Sequence, residues 1–150
     1  MVVNRVEVRQ FISEAEPLIQ ENWKEAGYDM ELEFNPMYEE YITLGDMGAL
    51  CCYGAYEGDE MVGYFVALVT KHYHTADSLV AKCDTVYIKP EYRGKNRLTE
   101  LLDGVEQDLY EYGVDRLFIC VRTKQKPKGG GLYEKLGYNN EETTYSKKLG

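Results

Sequence analysis

The chain has 150 residues, 44% of them hydrophobic, with four cysteines and a net charge of −9. That length suits one domain with a continuous core, so a single domain over residues 1–150 is expected. The acidic balance argues against a nucleic-acid partner, whose phosphates the summed field would repel. No 18-residue apolar run exists and Met1-Val2-Val3-Asn4-Arg5 lacks the form of a signal peptide, so no membrane association and a cytoplasmic location are expected.

The charge is unevenly spread. Residues 1–62 carry 14 Asp/Glu against 3 Lys/Arg, whereas residues 63–150 carry 12 against 14. The second half suits an anion, and the first either attracts a cationic amine or merely solvates two helix faces. Cys51, Cys52, Cys83 and Cys120 show no C-x-x-C spacing and read as buried thiols rather than metal ligands or disulfides.

In chain order, Phe11, Ile12, Ala15, Leu18, Ile19, Trp23 and Ala26 recur at helical spacing, predicting an amphipathic helix of about four turns that ends at Gly27. Asn35-Pro36 reads as N-cap and first turn of a second helix, continuing through Tyr38, Tyr41, Ile42 and Leu44 to Gly45. Ala49 to Tyr56, the turn Glu57-Gly58-Asp59-Glu60 and the run Met61 to Tyr73 predict a hairpin. A further strand over Ala81 to Ile88 completes an antiparallel meander and stops at Pro90, which cannot donate to a ladder.

Leu98, Leu101, Leu102, Val105, Leu109 and Tyr112 form one apolar helical stripe, closed by Gly113 as a left-handed cap. Between strand and helix lie Arg93-Gly94-Lys95-Asn96-Arg97. Amide donors at a helix N-terminus and three cations meet there, an arrangement suited to a phosphate. This helix crosses over to a parallel strand at Leu117–Val121, and such a crossover is expected to be right-handed. A basic loop, Arg122 to Lys128, precedes three glycines and a short helix, and Thr143 to Leu149 predicts a last edge strand. The fold class is α/β, an α+β mixed sheet.

VYIKPEYRGK with its amphipathic helix, the next apolar strand, and then Leu132-Tyr133-Glu134-Lys135-Leu136-Gly137-Tyr138 resembles the GCN5-related N-acetyltransferase (GNAT) family over about residues 48–148. The resemblance implies acetyl transfer from acetyl-CoA to an amine acceptor, a small molecule or a protein. It also implies a chain that often pairs into a homodimer. It places the thioester beside a free backbone amide on Val86, Tyr87 and Ile88, with Arg93, Gly94, Lys95, Asn96, Arg97, Leu98 and Thr99 holding the pyrophosphate. Tyr133 takes the general-acid position; a phenol of reference pKa near ~10 suits protonation of a thiolate. Asp84 matches a carboxylate that acts as base through water in some relatives, and otherwise is structural.

Tyr28, Met30, Phe34 and Tyr38 match the loop that shapes the acceptor pocket, although single aromatics are more often core. His72 and His74 share a strand face by alternation and are acceptor-side candidates, too few for a metal site by themselves. The family turn usually runs Arg-Gly-x-Gly-x-Gly/Ala; here Asn96 and Leu98 stand at the later small positions, and Lys126 replaces an Asn that commonly supports the cofactor arm. Asn tolerates positive φ, whereas Leu98 is expected to crowd the pyrophosphate. Those departures keep open a non-catalytic GNAT-like module that binds a protein through its acidic N-terminal half. A phosphate-binding regulatory domain, resting on the basic turn alone, is the third reading.

Overall fold

The computed structural model describes residues 1–26, 32–121, 126–142 and 145–147, with the side chains of 126–130 excepted. The chain divides into two compact units, Met1–Ile119 and Cys120–Gly150. The first holds a five-stranded sheet in the order β1-β2-β3-β4-β5. Its elements are β1 (Val2–Val6), α1 (Val8–Ala26), α2 (Tyr38–Asp46), β2 (Leu50–Glu57), β3 (Glu60–His72), β4 (Thr75–Ile88), α3 (Arg97–Tyr112) and β5 (Val114–Phe118). Strands β1 to β4 pair antiparallel and β5 joins β4 in parallel. The predicted mixed sheet, with its meander and its helix crossing to a parallel strand, is therefore present.

Alternation along the strands divides the core between the two sheet faces. Phe11, Ala15 and Leu18 of α1 pack with Leu50, Cys52, Tyr64, Val66 and Tyr87, and Tyr41, Ile42 and Leu44 of α2 join the edge of that cluster. On α3 the buried residues are Leu101, Leu102, Val105 and Leu109, four of the six in the predicted stripe. Its last member, Tyr112, is 40% exposed and donates to the Gly48 carbonyl at 3.0 Å. Tyr53 points to the α3 face and donates to Asp108 at 2.8 Å. Gly113 caps α3 at φ 101°, as expected.

Several boundaries are corrected. Residues 2–6 form an edge strand, which a short β-branched stretch leading into a helix does not announce. α1 begins at Val8, ahead of the periodic stripe. Asn35 and Pro36 lie outside α2: Met37 takes the cap position without a side-chain bond, and the Tyr38 amide turns back to the Pro36 carbonyl at 3.1 Å. β5 lies three residues earlier than the run Leu117–Val121, where the Leu79–Lys82 segment of β4 gives it a parallel partner. Cys51 and Cys52 are buried free thiols, Cys83 is half-buried, and Cys120 is an exposed thiol.

The second unit contains α4 (Lys126–Lys135), longer than three glycines suggest. The expected strand over Thr143 to Leu149 falls largely outside the described residues, and its described part, 145–147, is irregular.

Burial sets the response to alkali. The Cys52 thiol is pushed up to about 12 by burial foremost and then by Cys51, and the Tyr87 phenol to about 12 by burial and its bond to Glu21. Burial also raises Cys51, Tyr41, Tyr53 and Tyr56. For a group raised on folding, the folded state holds the proton longer. Its contribution is complete below the unfolded pKa and is lost as pH climbs towards the folded value. Stability should therefore be level from pH 7 to the ordinary thiol value of 9.0, then fall steadily up to about 12. Urea midpoints across that range check this; a flat profile to pH 11 would show these groups to be solvated.

Candidate active site

The end of β4 and the start of α3 build the site. In the β3–β4 ladder Val66 pairs Thr85 while Ala67 pairs Cys83, so Asp84 is an extra, unpaired residue. Such a bulge re-aims side chains. Two consecutive residues consequently face the α1/α2 side: Thr85 Oγ1 accepts from Asn22 Nδ2 at 2.8 Å, and Asp84 Oδ2 accepts from the Tyr41 hydroxyl at 3.1 Å. Tyr64 takes a second bond from Asn22 at 2.8 Å.

Beyond the bulge β4 outruns its parallel neighbour. Pairing with β5 stops at Lys82↔Phe118, whereas β4 continues to Ile88. The Lys89 amide donates to the Val62 carbonyl at 2.9 Å. Antiparallel alternation then turns the Tyr87 amide towards β3 and the Val86 and Ile88 amides towards the edge that β5 has left. Gly63 lies opposite Ile88, and a Cβ there would sit 2.7 Å from the Tyr87 carbonyl oxygen, so glycine lets β3 pass close to this end of β4.

After a 3-10 turn over Pro90–Tyr92 the chain makes three successive left-handed residues: Gly94 at φ 83°, Lys95 at 48° and Asn96 at 64°. A side chain at positive φ costs roughly 1–2 kcal/mol except for Gly and, in part, Asn, so Lys95 carries the strain. Asn96 adopts the geometry that a glycine would. The Arg97 amide closes the turn on the Gly94 carbonyl at 3.0 Å, and the first helical bond runs from Glu100 to Asn96 at 2.9 Å. The Leu98 and Thr99 amides have no backbone acceptor among the described residues, as expected of a helix's first turn. Leu98 is half-buried at the second helical position.

The turn's charge differs from the sequence expectation of three available cations. Arg93 donates from Nε to the Ile88 carbonyl at 2.7 Å and from Nη2 to Glu25 at 2.6 Å, over the Tyr87 ring at 5.4 Å. Arg97 lies 2.8 Å from Glu57 and 3.0 Å from Glu100. Lys95 is exposed, with no ion pair among the described residues.

The acceptor-side candidates do not gather in one place. Tyr28 and Met30 lie outside the described residues. Phe34 packs its ring on Trp23 at 5.5 Å, and Tyr38 stands against Tyr41 at 6.3 Å with its buried hydroxyl unbonded among the described residues. His72 ends β3 while His74 lies in the following turn rather than on the strand, and the exposed rings are 6.0 Å apart. Among the described residues no group of His, Cys, Asp and Glu could hold a metal ion, and no helix is long and apolar enough to cross a membrane. The residues that sequence reading missed are Asn22, Tyr41, Glu21 and Glu25, which looked like solvated or core positions of helices.

Within the second unit, Tyr-x-x-x-Gly-Tyr is a helix-ending device. The Tyr138 amide bonds the Tyr133 carbonyl at 3.0 Å, the Gly137 amide bonds that of Glu134 at 3.1 Å, and Gly137 sits at φ 90°. This is the paired closure of a Schellman cap, with the Tyr133 and Tyr138 rings in edge contact at 5.8 Å. The Lys126 side chain lies outside the described residues.

A bulged strand that outruns its parallel neighbour and passes through a left-handed turn into a helix is acetyltransferase architecture. The chain matches the model of the Acetyltransferase (GNAT) family over residues 8–138, and it belongs to that family. No curated protein matches it significantly. Among solved structures, a ribosomal-protein-alanine N-acetyltransferase from Brucella melitensis biovar Abortus has a TM-score of 0.73 at 19% identity, covering 99% of this chain and 100% of its own. An aminoglycoside acetyltransferase from an uncultured soil metagenomic sample, solved with trehalose, has a TM-score of 0.75 at 14% identity, covering 99% and 96%. A predicted acetyltransferase from Clostridium acetobutylicum, solved with acetyl-CoA, has a TM-score of 0.68 at 14% identity, covering 99% and 96%. At these identities the likeness is one of fold.

Proposed function

We propose that this chain transfers the acetyl group of acetyl-CoA to an amine by direct attack. The carrying observation is the left-handed turn Gly94–Asn96 beyond the end of β4, after which the Leu98 and Thr99 amides have no backbone acceptor among the described residues. Backbone N–H groups at a helix N-terminus suit a pyrophosphate, and Lys95 adds a cation. The Ile88 amide suits the thioester oxygen, where negative charge grows as the carbonyl becomes tetrahedral.

In this reading the neutral amine nitrogen bonds to the thioester carbonyl carbon, the C–S bond breaks, and Tyr133 gives its proton to the departing thiolate. Asp84, held by Tyr41, takes the proton that the ammonium must lose, through water. Both units act in one domain, as the extent of the family match supports. The solved relatives named for ribosomal-protein alanine and for aminoglycosides support protein or small-molecule amines as acceptors. A cytoplasmic homodimer completes the proposal.

The test is CoA release from acetyl-CoA on adding an alanine-starting peptide or an aminoglycoside. Amine-dependent release supports the reading; release that no amine accelerates counts against it. The opposing reading, a non-catalytic module that binds a protein, is favoured by Leu98 and by the carboxylates that occupy Arg93 and Arg97. Leu98→Gly addresses the steric part. With the side chain removed, acetyl-CoA should bind more tightly in calorimetry, and equal or weaker binding would show that the leucine leaves room for the pyrophosphate.

A further inference from the structure

Arg93 belongs by sequence to the phosphate-binding turn, yet its side chain runs back along β4. Its Nε donates to the Ile88 carbonyl at 2.7 Å, and Nη2 meets Glu25 of α1 at 2.6 Å. The same face of α1, one turn earlier, supplies Glu21, which accepts from the Tyr87 hydroxyl at 3.1 Å, and the Tyr87 ring lies under the guanidinium at 5.4 Å. Two carboxylates of one helix thus hold the two groups that flank Ile88.

The held carbonyl needs a partner. It lies on the edge where β5 has ended, so no strand among the described residues supplies a donor. The peptide plane between Ile88 and Lys89 is pinned on both sides, by Arg93 at its oxygen and by the Val62 carbonyl at its N–H. The preceding plane cannot swing towards β3, because the Tyr87 carbonyl already stands close over Gly63. Between two fixed planes, the Ile88 amide has one direction.

We propose that Glu25 and Arg93 form a positioning clamp for acyl recognition, fixing the Ile88 carbonyl so that the Ile88 amide points at the thioester oxygen. This rests on the acetyl-CoA reading above. The clamp also removes an electrostatic obstacle: a bare carbonyl on that edge would repel the oxygen on which charge develops, and a charged hydrogen bond covers it. Glu25 keeps the guanidinium on the strand and away from the pyrophosphate. The clamp therefore favours the acetyl group over the CoA body, and Arg93 is a positioning residue.

The experiment compares acetyl-CoA and CoA affinities and the carbonyl stretch of bound acetyl-CoA carrying a 13C-labelled thioester. Wild-type protein should shift that stretch below its value in water. Arg93→Ala should weaken acetyl-CoA by up to about tenfold, the worth of the Ile88 amide's bond to the thioester oxygen once it loses its aim, while CoA, which lacks that oxygen, changes less than about threefold. The stretch should return towards the free value. Arg93→Lys keeps the charge but lacks Nε and should behave like alanine. Glu25→Ala, an exposed helix position, should give an intermediate shift. A loss shared equally by both ligands, or a wild-type stretch in folded Arg93→Ala, would overturn the clamp. If Arg93→Ala does not fold, a wild-type stretch in Glu25→Ala overturns it. Wild-type protein that binds acetyl-CoA without any shift would refute the oxyanion role of Ile88 itself, and the clamp with it.

Discussion

Phe11→Ala should lower the unfolding free energy by about 3–5 kcal/mol, the usual loss for a fully buried phenylalanine. Phe11 is 0% exposed and is one of the residues, with Ala15 and Leu18, by which α1 docks on the sheet. Its ring meets Tyr64 edge-on at 5.6 Å and 81°, a geometry that adds to simple burial. Truncation leaves a cavity under the helix next to Tyr64, whose hydroxyl takes the Asn22 bond that also reaches Thr85 beside the bulge. Phe11→Leu should cost roughly 1.5 kcal/mol or less, because most of the volume returns. Urea unfolding of both variants checks the ratio. A loss under about 1 kcal/mol for alanine, far below the buried-phenylalanine range, would mean that α1 is not docked as described.

Tyr133→Phe should slow acetyl transfer by about 10²–10⁴-fold, the contribution of a positioned general acid. The substitution deletes one oxygen and keeps the ring that packs on Tyr138. The bonds from Gly137 and Tyr138 that end α4 run between backbone groups, so helix and turn should persist. The expected pattern is a lower kcat with unchanged acetyl-CoA affinity in a protein that stays folded. An unaltered kcat with any acceptor would remove Tyr133 from the chemistry and leave the tyrosine as a packing residue of the cap.

What the sequence revealed was what local physics controls. The stripe from Leu101 to Leu109 and the cap at Gly113 follow from helical period and glycine's tolerance of positive φ, and both are present. The meander was legible because its strands are long and separated by turn residues. β1 was not, since Val2 finds its partner at Tyr56, far along the chain, and nothing within five residues encodes that pairing. Asn35-Pro36 carried a helix-start signal, yet α2 begins at Tyr38, whose amide turns back to the Pro36 carbonyl. At the site, the Gly94–Asn96 turn was readable from residue types. The bulge at Asp84 was not, because a bulge belongs to the register between strands. Charges could be counted in sequence, but their partners could not: Arg93 finds Glu25 across 68 positions, which turns a presumed phosphate cation into part of the strand's end.

The central claim is that the turn between β4 and α3 binds acetyl-CoA despite Leu98. Calorimetric titration of the wild-type protein with acetyl-CoA, with thermal unfolding alongside and free CoA as the control, tests it most directly. The expected result is saturable micromolar binding; a 10 µM site at ~1 mM ligand should add about 2.7 kcal/mol of stability. No heat and no stabilisation at that concentration would contradict the claim and leave the protein-binding module as the surviving account.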